Sequence, residues 1–290
     1  MAEKDFAIVC DSSCDLPTSF FEKAKVECVT LSAGVGDEQD LVSELAALYR
    51  DLAARGYARI ASVHSAACFS PALEAARAAA ASCGEATVEV IDSGSGSCAT
   101  GMLIDRIARH RYFGLPFEDS VEAIRTLASH VRLLVVPTAS ARLGKRRPQR
   151  SRLAVLARAT ASLRVRISGE RGLYLLSRGE ITQLARATEL IELTSRLAHA
   201  ISAVSAGEGA VVYALTETGD ARALHAAEKP LNTNEFESRC LGTVRASAHV
   251  ESLIGHGAVA VAFAPAASYD SGGGGSLMSR SATRHEGEIS

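Results

Sequence analysis

At 290 residues the chain is long enough to bury a sizeable core and suggests about two domains. A net charge of −2 excludes a general attraction to nucleic acid or membrane surfaces, and 5% aromatics with no Trp favour tightly packed Ala-rich helices over an aromatic-rich β-sandwich. The seven cysteines (Cys10, Cys14, Cys28, Cys68, Cys83, Cys98, Cys240) are irregularly spaced behind an N-terminus, MAEKD, that has no apolar leader core, so the chain reads as a reduced cytoplasmic protein.

In chain order, the first element is the short apolar strand in FAIVCDSSCDLP, 6–17. Its dense run of acids, hydroxyls and thiols reads as a loop at the strand's C-terminal end, where open α/β sheets bind ligands. Ser19 and Glu22 have the spacing of a capping box for a short helix. VECVTL, 26–31, reads as a second strand. The segment 40–55 reads as a helix with Leu41, Leu45, Leu48 and Leu52 on one stripe and Gly56 as its stop. ARIASVH, 58–64, is a strand. Ser70 and Pro71 then open an Ala-rich helix that ends at Gly84. TVEVID, 87–92, is another strand, followed by a hydroxyl-rich loop, a helix to about 110 and a further helix over 117–130. VRLLVVPT, 131–138, closes this half. The alternation predicts a largely parallel sheet with helices on both faces.

The second half opens on RLGKRRPQRSR, where Arg142, Lys145, Arg146, Arg147, Arg150 and Arg152 crowd eleven residues. Without interleaved aromatics this stretch reads as a solvated or docking face rather than a nucleic-acid site. LRVRIS and LYLLSRG read as strands and 182–205 as a long helix. GAVVYAL, 209–215, is a strand, 219–228 a helix, 238–249 contains a strand, and GAVAVAFAP, 257–265, is the last. The tail from Ala266, with its GGGGS run, is expected to be disordered. No run is long and apolar enough to span a membrane.

The chemistry-bearing residues gather at strand ends: Asp11, Ser12 and Ser13; His64 and Ser65; Asp92 to Ser97. In a parallel sheet these loops share one edge and offer neutral donors with few cations, which suits a carboxylate better than a polyphosphate. The GSGS run lacks the Gly-Lys-Ser/Thr of a phosphate loop. Ser70 stands at a helix N-terminus, where its hydroxyl either donates to a bound anion or accepts from its own helix. Cys10 and Cys14 raise a redox or metal reading, yet no second Cys/His pair has ligand spacing, and they read rather as small packing residues beside a turn. No GxSxG elbow, HExxH or paired-carboxylate motif is present, so neither an enzyme nor a metal site is expected.

Four motifs in order resemble the DegV family of bacterial fatty-acid-binding proteins: IVCDSSCDLP, 8–17; LYRDLAARGYARIASVHSAACFSPALEAA, 48–76; VEVIDSGSGSCATG, 88–101; and CLGTVRASAHVESLIGHGAVAVAF, 240–263. The resemblance implies a two-domain α/β fold: a largely parallel sheet flanked by helices over 1–138, and a C-terminal α/β domain over 139–265 whose last strands can pack back toward the cleft. The tail is 266–290. It implies one long-chain fatty acid in a buried apolar tunnel between the domains, with no other cofactor. Where a fatty acid kinase is present, such proteins offer it the carboxylate and are not themselves the catalyst. By the resemblance Ser70 and His249 bind the carboxylate. Asp11, Ser12, Ser13, Asp37, Ser65, Ser93 and Ser97 are candidates for lining the cleft.

The sequence departs from the family pattern at the head group. Asp37 stands where the family has a carboxylate-binding Thr, Ala66 and Ala67 replace two serines, and Pro71 replaces a Gly. These departures support an alternative: a divergent member that binds another small molecule, or a protein through its Arg-rich stretch.

Overall fold

The computed structural model describes residues 6–32, 38–139, 141, 169–233 and 236–271. The first sheet contains β1 (Ala7–Asp11), β2 (Val26–Val29), β3 (Arg59–His64) and β4 (Thr87–Asp92) in the order β2-β1-β3-β4, all parallel. Every residue of β1 is buried, as expected of a central parallel strand covered on both faces. Helices follow the strands in turn: α1 (Thr18–Ala24), α2 (Glu38–Ala54), α3 (Ala72–Ala81) and α4 (Cys98–Tyr112), then α5 (Phe117–His130). In α5, Phe117, Val121, Ile124 and Leu127 recur at helical spacing and are buried.

The second sheet contains β5 (Arg132–Val136), β6 (Arg171–Ser177), β7 (Glu180–Ala187), β8 (Val211–Glu217), β9 (Ser238–Arg245) and β10 (Val259–Pro265), in the order β7-β6-β5-β10-β8-β9. Its strands pair antiparallel except β8 with β9. Its helices are α6 (Leu190–Glu208), α7 (Ala221–Asn232), α8 (Ala248–Ile254) and α9 (Ala266–Asp270).

Three apolar clusters define the layering. One joins α2 and α3 to the outer face of the first sheet. Another joins α6 and α7 to the outer face of the second. The largest lies between the sheets and takes in α4, α5 and α8 together with residues of both. The sheets thus share one central helical layer.

Four expectations are corrected. The strand over 131–138 does not close the first sheet: it is β5, paired with β6 and β10 in the second. Its uninterrupted LLVV run fits any doubly covered strand and carries no information on partners. The segment 182–187, expected as the start of the long helix, belongs to strand β7. A two-residue turn at Arg178 and Gly179, with φ of 52° and 76°, folds it back on β6. Ser19 and Glu22 form no capping box, because α1 begins at Thr18 behind Pro17, which makes no side-chain cap. The tail does not begin at Ala266: residues 266–270 form α9, and Tyr269 is buried with its hydroxyl on Asp105 Oδ2 at 2.5 Å. The basic stretch, LRVRIS, Asp37 and the GGGGS run lie outside the described residues.

Candidate ligand head-group site

The C-terminal ends of β1, β3 and β4 meet on one edge, and the hydroxyl-rich loops meet with them. The Gly residues of the GSGS run permit this closeness. Gly94 has φ of +60° and faces the Arg178 backbone at 3.0 Å from where a Cβ would stand; a Cβ on Gly96 would lie 2.4 Å from the Phe69 ring.

Asp11 is the hub. Its Oδ1 accepts from the Ser13 amide at 3.0 Å, from the Ser13 hydroxyl, and from the Ser70 hydroxyl at the long distance of 3.5 Å. Its Oδ2 lies 2.8 Å from His64 Nδ1. Burial pushes the Asp11 carboxyl up, but the His64 bond and charge and the two Ser13 donors outweigh it and hold the group below its usual range. A hydroxyl chain continues from Ser13 to Ser65 at 2.7 Å, to Thr100 at 2.9 Å and on to Ser93 at 2.9 Å. Ser12 turns the other way and accepts the Leu31 amide at 2.9 Å. The expected cleft-lining hydroxyls are therefore brought together, and they bond mainly to one another.

The Ser70 hydroxyl also accepts the amide of Ala72, the first residue of α3, at 3.1 Å, while its hydrogen points to Asp11. His249, on α8, reaches the same place from the second half of the chain. Its Nε2 lies 3.2 Å from the carbonyl of Phe69, the residue before Ser70, and its Nδ1 lies 3.4 Å from the Ser32 carbonyl. Ser70 and His249, some 180 positions apart, are thus juxtaposed through Phe69. The Ser247 hydroxyl caps α8 by accepting the Val250 amide.

A second carboxyl fixes α8. Asp15, buried with φ of 59°, accepts the Ser247 amide at 2.7 Å and the Ser97 hydroxyl at 2.5 Å. Ser97 also meets Thr216 of β8 at 2.8 Å and holds φ of 53° and ψ of −141°, a sparsely populated conformation costing about 1–3 kcal/mol. Burial pushes Asp15 up to about 7 against the pull of its Ser247 and Ser97 donors. Nothing in the sequence around Asp15 distinguishes it from an ordinary turn acid; its partners come from positions 97 and 247.

The structure also holds a nucleophile and a base in hydrogen-bond reach, which sequence motifs did not reveal. His64 Nε2 lies 2.8 Å from Ser62 Oγ, opposite its Asp11 contact. Ser62 is wholly buried and bonds to the Tyr49 hydroxyl at 2.7 Å. This Asp-His-Ser chain runs into the core beneath α2, where its serine faces Tyr49. Among the described residues no group of three or more His, Cys, Asp or Glu side chains is placed to hold a metal ion, and no helix is long and apolar enough to cross a membrane.

A parallel four-stranded sheet and a six-stranded mixed sheet around a shared helical layer, with polar side chains converging at the parallel sheet's C-terminal edge, define a two-sheet α/β protein. The chain belongs to the DegV family: the model of that family, described as an uncharacterised protein, matches residues 38–266. A DegV family protein of Corynebacterium glutamicum superposes with a TM-score of 0.74 at 20% identity, over 90% of this chain and 98% of its own. A DegV family protein of Thermus thermophilus, described by its fatty acid binding, gives 0.75 at 18%, over 90% and 100%. A stearic acid-binding protein of Eubacterium ventriosum gives 0.68 at 16%, over 91% and 99%. No curated protein matches the sequence.

Proposed function

We propose that the protein binds one long-chain fatty acid between its two sheet-bearing halves, with the carboxylate at Ser70 and His249. The observation that carries this reading is the meeting of Ser70 and His249 through the Phe69 carbonyl. Each comes from a different sheet's loops, as a site between halves requires. Similar folds described as fatty acid binding support it. On this reading the lobes divide ahead of β5, the protein acts in the cytoplasm without a cofactor or catalysis of its own, and its carboxylate is offered to a fatty acid kinase where one is present.

Affinity on this reading comes mainly from the acyl chain, at about 0.8 kcal/mol per buried CH₂. Native mass spectrometry of the purified full chain, followed by lipid extraction, is expected to show a bound long-chain acid. Ser70→Ala and His249→Gln should each weaken rebinding several-fold with longer acids still preferred. Unchanged affinity in both variants would remove these residues from the head-group site.

A second reading, a member that has exchanged fatty acid for another small molecule or a protein partner, is favoured by one observation. Ala66 is buried next to Ser70, whose amide donates to its carbonyl at 2.9 Å, and its methyl side chain offers no hydroxyl there. A chain that purifies empty and ignores added fatty acids would establish this second reading.

A further inference from the structure

The cysteines singled out in the sequence have no part in the head-group site. Cys10 of β1 and Cys28 of β2 are register partners in the parallel pair. Cys10, Cys14 and Cys28 all belong to or pack on the same apolar cluster, and burial with the neighbouring Cys14 and Cys28 thiols pushes the Cys10 thiol up. Adjacent strands lie about 4.8 Å apart, within the ~4.4–6.8 Å Cα separation that a disulfide spans. Register partners project to the same face, and all three cysteines pack on the central cluster. Cys10 and Cys14 are buried, whereas Cys28 is partly exposed, because β2 is an edge of its sheet. The cluster is not placed for metal binding. Its geometry offers one partly exposed cysteine with a buried partner directly across the ladder.

We infer that Cys28 and Cys10 form a reversible disulfide strap across β1 and β2, with a hydroperoxide as the oxidant. Cys28 sulfur attacks the peroxide: an S–O bond forms, the O–O bond breaks, and the leaving oxygen takes up the Cys28 proton as water or an alcohol. Cys10 sulfur then attacks Cys28 sulfur: the S–S bond forms, the S–O bond breaks, and the leaving hydroxide takes the Cys10 proton as a second water. Burial and the neighbouring thiols hold Cys10 well above the usual thiol range, so the second step quickens as pH rises.

The strap acts on a strand tied to the candidate site. Beyond β2, the Leu31 amide bonds Ser12 Oγ, and the Ser32 carbonyl provides one of the two contacts of His249. One end of the bond lies on a partly exposed edge strand, and exposed disulfides are the more readily reduced ones, as a regulatory bond requires. The inference does not depend on what the protein binds.

The test is peptide mapping of the native full-length protein after hydrogen peroxide, with remaining thiols trapped by alkylation. The expected result is a Cys10–Cys28 linked peptide that forms faster at pH 9 than at pH 7 and disappears with dithiothreitol. In Cys10→Ser the sulfenic acid of Cys28 should instead proceed to sulfinic acid. Wild-type Cys28 that over-oxidises while Cys10 stays a free thiol, or that links to any other cysteine, overturns the inference. The wild-type map decides even if the Cys10 variant fails to fold.

Discussion

Asp15 and Asp11 are the two buried carboxylates among the described residues, and they respond to pH in opposite senses. Asp11 is held low, so its contribution is present above the usual carboxylate range and is lost on acidification. Asp15 is raised from 3.8 to about 7 by burial. The folded protein therefore keeps a proton that the unfolded chain has released, and stability falls as pH rises through that window. Asp15→Asn retains an acceptor for the Ser247 amide and a donor for Ser97, which can in turn donate to Thr216. Its stability relative to wild type should therefore improve from pH 5 to pH 8, by up to a few kcal/mol. Urea unfolding at the two pH values measures this, and a pH-independent difference would show that the Asp15 proton is not involved. The sequence made DSSCD legible as a loop at a strand end. It did not reveal that Asp11 and Asp15 serve different networks, because that division depends on His64, Ser97 and Ser247, which only the fold brings near.

Among the elements, the β4–α4 loop shows how tightly the site is framed. A Cβ on Gly96 would stand 2.4 Å from the ring of Phe69, which is buried. The ring has little room to move, and its residue's carbonyl receives His249 while its neighbour is Ser70. Gly96→Ala should thus destabilise the protein by about 1–3 kcal/mol through overpacking and weaken ligand binding with it. Gly84→Ala, at a site with nothing within 4 Å, is the control and should be near neutral. Equal denaturant midpoints for the two variants would mean that the loop yields. The same scale shows where periodicity worked and where it failed. The helix 117–130 and the strand 87–92 were legible because each has one period and clear end signals. The strand Glu180–Ala187 was not, since Leu, Ala, Arg and Glu are good helix formers and its pairing with β6 overrides their preference.

At the scale of the whole molecule, the central layer decides how independent the two halves are. Helix α4 packs on β1 and β3 of the first sheet and on β5, β8 and β10 of the second. Leu103, Ile104 and Ile107 are wholly buried in the cluster that both sheets share. Two lobes with separate cores would lose stability one at a time. Lobes that rest on one helix should lose it together, even in a chain long enough for independent domains. Ile104→Ala leaves a cavity in the shared layer, with an expected loss of about 2–5 kcal/mol. Hydrogen exchange followed by mass spectrometry can locate that loss. If the layer couples the halves, amides in β3 and β10 should lose protection by similar factors in the variant. Loss confined to β3 would mean that the second sheet stands on its outer cluster with α6 and α7, and that the halves can separate about α4 without either one unfolding.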